Sequence, residues 1–212
     1  MVAKVRGAEA YLPLDRSLVS LRAAVQDCRG CELYRSATQA VLGEGPERGV
    51  DMMLVGEQPG DKEDIAGKPF VGPAGLMLDR ALDDLGIARD KTYVTNAVKH
   101  FRWSPRGKRR IHETPRASEI RACQPWLEAE IEAVGPRLLV ALGAVAVSSL
   151  LGTSAKVTTH RGQVMEGAYG PCLVTTHPSS IIRVEDSDER AAAYALFLSD
   201  LRQGLGYLKR TV

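Results

Sequence analysis

Val50-Asp51-Met52-Met53-Leu54-Val55, followed at once by Gly56-Glu57-Gln58-Pro59-Gly60, is a short apolar run closed by glycine and proline. A run of that length stopped by turn formers reads as a buried strand feeding a loop at its carboxyl end. The same pattern recurs along the chain. Residues 92–98 are β-branched and aromatic, and residues 137–143 and 172–176 are short apolar runs, so each reads as a further strand. Helical spacings lie between and around them. Residues 15–27 carry Leu18, Leu21 and Val25, Pro73-Ala74-Gly75 opens a helix with Leu76, Leu78, Leu82 and Leu85, and residues 117–134 place Ile120, Cys123, Leu127 and Ile131 on one face. A small-residue helix at 144–151 and a closing helix at 187–205 complete the set, with Gly162-Gln163-Val164-Met165 as a candidate edge strand.

Strands that alternate with helices imply a parallel sheet, because parallel strands need long crossovers and these cover both faces. The predicted fold is therefore α/β: a central four-stranded parallel sheet flanked by helices in three layers. A chain of 212 residues suffices for one such domain, taken as residues 1–212 with an N-terminal knuckle. Ligands in these folds bind outside the carboxyl ends of the strands. Gly56–Gly60, Asn96 and His177-Pro178-Ser179-Ser180 each follow a predicted strand, so three polar groups distant in sequence should converge on one edge.

The net charge of +2 does not by itself predict a polyanionic partner. Its distribution does. Residues 99–116 hold seven Lys and Arg against one acid, Glu113, leaving 21 basic residues facing 25 acidic ones elsewhere. Within that segment Lys108-Arg109-Arg110-Ile111-His112, with Phe101 and Trp103 close by, suits a loop that contacts phosphates and packs on sugars or bases. Alone, it reads equally as a solvated charge run. No signal-peptide core and no membrane-length apolar run are present, so a cytoplasmic, membrane-free protein is expected. In a reducing compartment the Cys28-x-x-Cys31 pair points to a metal or redox site, with Cys123 a third candidate ligand and Cys172 a buried core thiol.

Taken together, these motifs resemble the uracil-DNA glycosylase superfamily, closest to the iron–sulfur family 4 enzymes. Through Lys108–His112 they resemble the UdgX class, which bonds covalently to uracil-containing DNA. The resemblance covers about residues 20–205 with every motif in order, including Glu63-Asp64, Gly67-Lys68-Pro69-Phe70-Val71-Gly72 and Pro73-Ala74-Gly75. It implies a pocket wall of Gly56, Glu57, Gln58, Gly60 and Asp61, with Gln58 standing where the family usually has alanine. Phe70 would stack on the flipped uracil, and Asn96 would read its N3–H and O4. His177 would donate to O2 as the base leaves, with Ser179 and Ser180 as potential phosphate ligands. His112 would attack C1′ with Glu57 as its partner, while Arg109 and Arg110 hold the flanking phosphates.

The resemblance also implies a [4Fe–4S] cluster, held by Cys28, Cys31 and Cys123, with His100 standing where the family has its third cysteine. Spacing alone does not separate this from a three-Cys, one-His zinc site. The expectation is a monomer that recognises uracil in DNA, preferably single-stranded, excises it in a single turnover and keeps a covalent His112–deoxyribose bond. The alternatives are an iron–sulfur glycosylase that turns over with water, or a non-enzymatic metal knuckle that binds nucleic acid.

Overall fold

The computed structural model describes residues 7–211. Leu18–Ala24 forms α1, shorter than the 15–27 pattern because Ser17 caps it and the chain tightens into a 3-10 turn at Val25–Asp27 before the knuckle. The alternating units follow: β1 (Met52–Gly56), α2 (Asp61–Ala66), α3 (Pro73–Asp84) and β2 (Thr92–Asn96). A hairpin, β3 (Trp103–Arg106) and β4 (Arg109–His112), precedes α4 (Ala117–Val134). Then come β5 (Leu138–Leu142), α5 (Ala144–Leu151), α6 (Val157–His160), β6 (Val164–Gly167), β7 (Gly170–Thr175), α7 (Pro178–Ile182) and α8 (Ser187–Arg210). Among the described residues no helix is long and apolar enough to cross a membrane.

The main sheet has the order β2-β1-β5-β7-β6. It has five strands, not four: β2, β1, β5 and β7 are parallel, and β6 joins β7 antiparallel at the edge. The sequence leaves β6 only a candidate because its side chains are half-buried and one is charged, so no apolar run marks it. A bridge between Glu44 and Val94 covers the outer side of β2.

The period of two in the central strands sorts the core into two layers. Met53, Val55, Leu139, Ala141, Cys172 and Val174 face a layer containing α1, α4 and α5, where Leu21, Trp126, Leu127 and Val147 are buried. Met52, Leu54, Leu138, Val140, Leu142 and Leu173 face Leu78, Leu82, Phe197 and Leu201 of α3 and α8. Cys172 is the buried core thiol that the sequence suggests. Helices on both faces leave the carboxyl ends of the four parallel strands as the open edge.

The basic segment is not a loop. It is the β3–β4 ribbon, with Trp103 opposite His112 and Arg106 opposite Arg109, turning through Gly107 at a φ of 60°. Pro105 and the surrounding cations hide the strand signal, because neither favours a strand by local propensity.

Candidate active site

Four strand ends meet in one cleft of about 840 Å3, lined among others by Glu57 after β1, Asn96 closing β2, Gly143 after β5 and His177 after β7. The β1 and β2 ends are in register, Gly56 beside Asn96, and the pairing runs past both strands. Ala97 donates to the Gly56 carbonyl at 2.9 Å and Val98 to the Glu57 carbonyl at 3.0 Å. Asn96 and the Glu57 loop thus form one rigid wall.

Two glycines shape a flat slot against that wall. A β-carbon on Gly56 would fall 2.4 Å from the Asn96 side-chain oxygen and 2.8 Å from the Phe70 ring, so the Gly56 position belongs to those two side chains. Phe70 is the one non-glycine residue among those described with positive φ, at 56°. Such a conformation costs about 1–3 kcal/mol and persists where the surroundings over-determine it. They do so here: α3 begins so close that a β-carbon on Gly75 would sit 1.6 Å from the Phe70 carbonyl oxygen. The Phe70 ring lies 6.1 Å from the His177 ring, inclined at 28°, while Asn96 is only 3 % exposed. One aromatic face, one amide and one imidazole therefore converge at the floor of the cleft. Gly60 is the N-cap of α2, where a β-carbon would fall 2.6 Å from the Glu63 carboxylate, which accepts from Gly72 N–H at 2.9 Å.

His177 has its tautomer set by its neighbours. Nδ1 accepts from Ser179 N–H at 3.1 Å, with the Ser179 hydroxyl 2.8 Å away, so the ring proton lies on Nε2. Burial first, then the positive field of Arg183 and proximity to His112, hold the imidazole down at about 4. At neutral pH it is an uncharged N–H donor. Ser180 Oγ donates to the His177 carbonyl at 2.7 Å, so both serines, expected as phosphate ligands, are engaged in holding this histidine.

The ribbon delivers His112 to the same cleft, with Nε2 3.5 Å from Glu57 Oε1. That separation is too loose for a hydrogen bond, and Oε1 has no other hydrogen-bond partner among the described residues. Burial raises the Glu57 pKa, opposed by Arg183, while burial and Arg183 lower that of His112. Three polar anchors fix the ribbon. The Gln58 amide donates to the Arg102 and Glu113 carbonyls at 3.1 and 3.0 Å and accepts from Arg102 N–H at 2.9 Å, clamping both ends. Arg110 binds Asp61 at 2.5 Å and Asp64 at 2.6 Å, with its guanidinium 5.5 Å from the centres of the Phe101 and Trp103 rings. The Trp103 indole donates to the Ser36 carbonyl at 3.0 Å. Gln58 and Asp61 line the cleft and, with Arg110, also support the ribbon that carries His112; of the expected phosphate pair Arg109 is exposed and Arg110 half-buried.

Residues 42–202 match the sequence model of the family described as the uracil DNA glycosylase superfamily. The chain belongs to this superfamily. It is 35 % identical to the type-4 uracil-DNA glycosylase of Thermotoga maritima over 88 % of this chain and 92 % of that protein. It is 34 % identical to the type-4 enzyme of Pyrobaculum aerophilum over 78 % of this chain and 85 % of that protein. The type-5 enzyme of the same organism is 32 % identical over 77 % and 76 % of the two chains.

In this superfamily member the sequence reading missed Arg183. It follows α7, is exposed, lines the cleft, acts on the pKa of Glu57, His112 and His177 together, and has no ion-pair partner among the described residues. Its position six residues after His177 in a run otherwise marked by apolar side chains was the available signal.

The knuckle lies apart from this chemistry. Cys28 and Cys123 are buried and Cys31 half-buried. Cys28 Sγ accepts from the Trp126 indole and Cys123 Sγ from Lys99 N–H, each at 3.2 Å. Burial pushes Cys123 up to about 12 and Cys31 to about 11; Cys28 adds to the rise of Cys31, and Cys31 and Cys28 to that of Cys123, which places the three in one neighbourhood. His100 is 5 % exposed, and burial holds it down at about 4. Among the described residues no group of three His, Cys, Asp or Glu side chains is gathered as around a single metal ion.

Proposed function

We propose that the protein recognises uracil in DNA, single-stranded by preference, cleaves its glycosidic bond and stays joined to the deoxyribose through His112. The observation that carries this reading is His112 Nε2 at the cleft, 3.5 Å from a carboxylate oxygen that nothing else binds. Uracil fits between Phe70 and the Asn96 amide, whose carbonyl accepts from N3–H and whose NH2 donates to O4. Cytosine presents both polarities reversed and is rejected.

A lone pair of neutral His112 attacks C1′ as the bond from C1′ to N1 breaks. Its electron pair leaves with the base, where Nε2–H of His177 meets the charge growing at O2. His112 becomes a cation and uracil an anion, so charge balances, and Glu57 stabilises the imidazolium formed beside it. Arg109 and Arg183 hold the flanking phosphates, acting as a monomer on one strand. A second reading, ordinary turnover with water, has one observation in its favour: the unpartnered Glu57 oxygen is placed to orient a water.

Denaturing electrophoresis after incubation with a single-stranded uracil oligonucleotide separates the two. A band retarded by the mass of the protein is expected. Free abasic product without that band supports the second reading, and unchanged DNA overturns both.

We further propose that Cys28, Cys31, Cys123 and His100 hold a [4Fe–4S] cluster. Two N–H groups already point at sulfur atoms, as suits thiolates carrying negative charge, and a cluster spreads its ligands more widely than one ion does. When bound, it would join the knuckle to α4 and do no redox work. Brown protein with iron in excess of zinc is the expected result, retained in His100→Cys. Colourless protein with one zinc per chain would replace the cluster by zinc on the same residues. Metal content unaffected by His100→Ala would remove His100 from the set.

A further inference from the structure

Lys99 is fully buried, yet it is an ion, and the chemistry described above does not use it. Its ammonium forms an ion pair with Glu130, also fully buried. It also donates to the Asn96 carbonyl at 2.6 Å and to Thr95 Oγ1 at 3.0 Å. Glu130 is itself saturated: it accepts from Gly43 N–H at 2.7 Å, from the Tyr93 hydroxyl at 2.9 Å and from Thr95. The backbone of the same lysine holds two more elements. Lys99 N–H donates to Cys123 Sγ at 3.2 Å, and its carbonyl accepts from Val41 N–H at 2.8 Å.

A buried ion pair is poor value as a stabiliser, because desolvation offsets most of the attraction and apolar replacements often serve as well. Its position suggests a different use. β2 ends at Asn96, and beyond it Ala97 and Val98 continue the pairing through their N–H groups, to the Gly56 and Glu57 carbonyls. The carbonyl of that last residue needs a donor, and the one it receives is a charged group clamped from below by α4. The peptide following Asn96 is thereby fixed, and with it the direction in which the Asn96 amide enters the slot.

We propose that Lys99 is a positioning residue for base selection: its donor to the Asn96 carbonyl sets the pose of Asn96. The inference rests on Asn96 reading uracil. A misplacement on the order of 1 Å costs about a hundredfold in a reaction that depends on alignment, so a support without substrate contact has a large lever.

Two charge variants of the full, metal-loaded chain separate positioning from plain stability. Glu130→Gln removes the ion pair but keeps Lys99 beside the Asn96 carbonyl; the amide oxygen still accepts from Gly43 and Tyr93, while its NH2 replaces the oxygen that accepted from Lys99 and Thr95. Adding Lys99→Met gives a neutral pair that has lost the donor to the Asn96 carbonyl, together with the one to Thr95 Oγ1. The probes are single-stranded oligonucleotides with a non-cleavable 2′-fluoro-deoxyuridine, with thymidine, or with a tetrahydrofuran abasic site at one position.

The expected result is that Glu130→Gln keeps the wild-type ratio of affinities for fluorodeoxyuridine over thymidine. The double variant should lose at least about tenfold of that ratio, bind abasic DNA as the wild type does, and melt no lower than Glu130→Gln, in which a buried lysine lacks its counter-ion. An unchanged ratio in the double variant overturns the proposal. So does a double variant that fails to fold while Glu130→Gln folds, since Lys99 would then serve the core. Loss of abasic-DNA affinity equal to the loss for uracil would also overturn it, as the effect would not concern the base. A wild type that shows no preference for fluorodeoxyuridine refutes the uracil reading itself, and the inference with it.

Discussion

Replacing His112 by Ser or Gly should abolish the denaturation-resistant complex with uracil DNA and leave a protein that releases uracil in repeated turnovers. The substitution removes the nucleophile and opens space beside Glu57 Oε1, which already lacks a hydrogen-bond partner, so a water can stand where the imidazole was. Gln58 and Arg110 still fix the ribbon, and Phe70, Asn96 and His177 lie on other elements, so the slot for the base persists.

The acid limbs of the two proteins should differ. In the proposed reaction neutral His112 is the attacking form, and its pKa lies below the ordinary histidine value. Adduct formation by the wild type should therefore be level at about neutral pH and fall only as acidity passes below about 6.5. In His112→Ser the base is Glu57, with a pKa raised above 4.5, so turnover should fall as pH drops towards that raised value. A surviving adduct in His112→Ser would move the covalent bond to another residue, Glu57 first. Loss of both adduct and excision would show that the ring also builds the slot.

For His177→Ala the expected loss in the rate of base release is roughly a hundredfold or more, the scale of removing one donor from a developing anion. Two effects are mixed in that variant, because His177 also caps α7 by accepting from Ser179 N–H, and a lost cap costs about 1 kcal/mol of stability. His177→Asn separates them. Asparagine is a good cap, so it should restore the melting temperature, yet its shorter amide ends short of the place where Nε2–H meets the base, and the rate should stay low. Rates close to the wild type in His177→Ala would mean that backbone amides stabilise the departing uracil.

Arg110 shows where local reading stops. From its neighbours it is a cation in a basic run, and phosphate is the natural partner to assign. In the fold its guanidinium meets Asp61 and Asp64, residues separated from it by 49 and 46 positions, so two carboxylates neutralise it before any DNA arrives. Gln58 reaches Arg102 and Glu113 across 44 and 55 positions in the same way. Nothing in a window of sequence encodes either contact. Arg183 is the converse: its place six residues after His177 is a weak signal, and the convergence of α7 on the cleft brings its charge to bear on Glu57, His112 and His177 together.

The four parallel strands, their helical crossovers and the edge at which Glu57, Asn96 and His177 meet were legible in the sequence alone. Apolar periodicity, glycine and proline are set by backbone stereochemistry and burial within a few residues, and in a parallel sheet every strand then points its carboxyl end the same way. The edge strand β6, the ribbon carrying His112, the supports of that ribbon and the buried ion beneath Asn96 were decided by the tertiary structure. β6 and the ribbon are short hairpin strands that no apolar run marks. The ribbon's supports and the buried ion instead pair polar groups across long stretches of chain, and such a pairing exists only once the core has brought its two halves together.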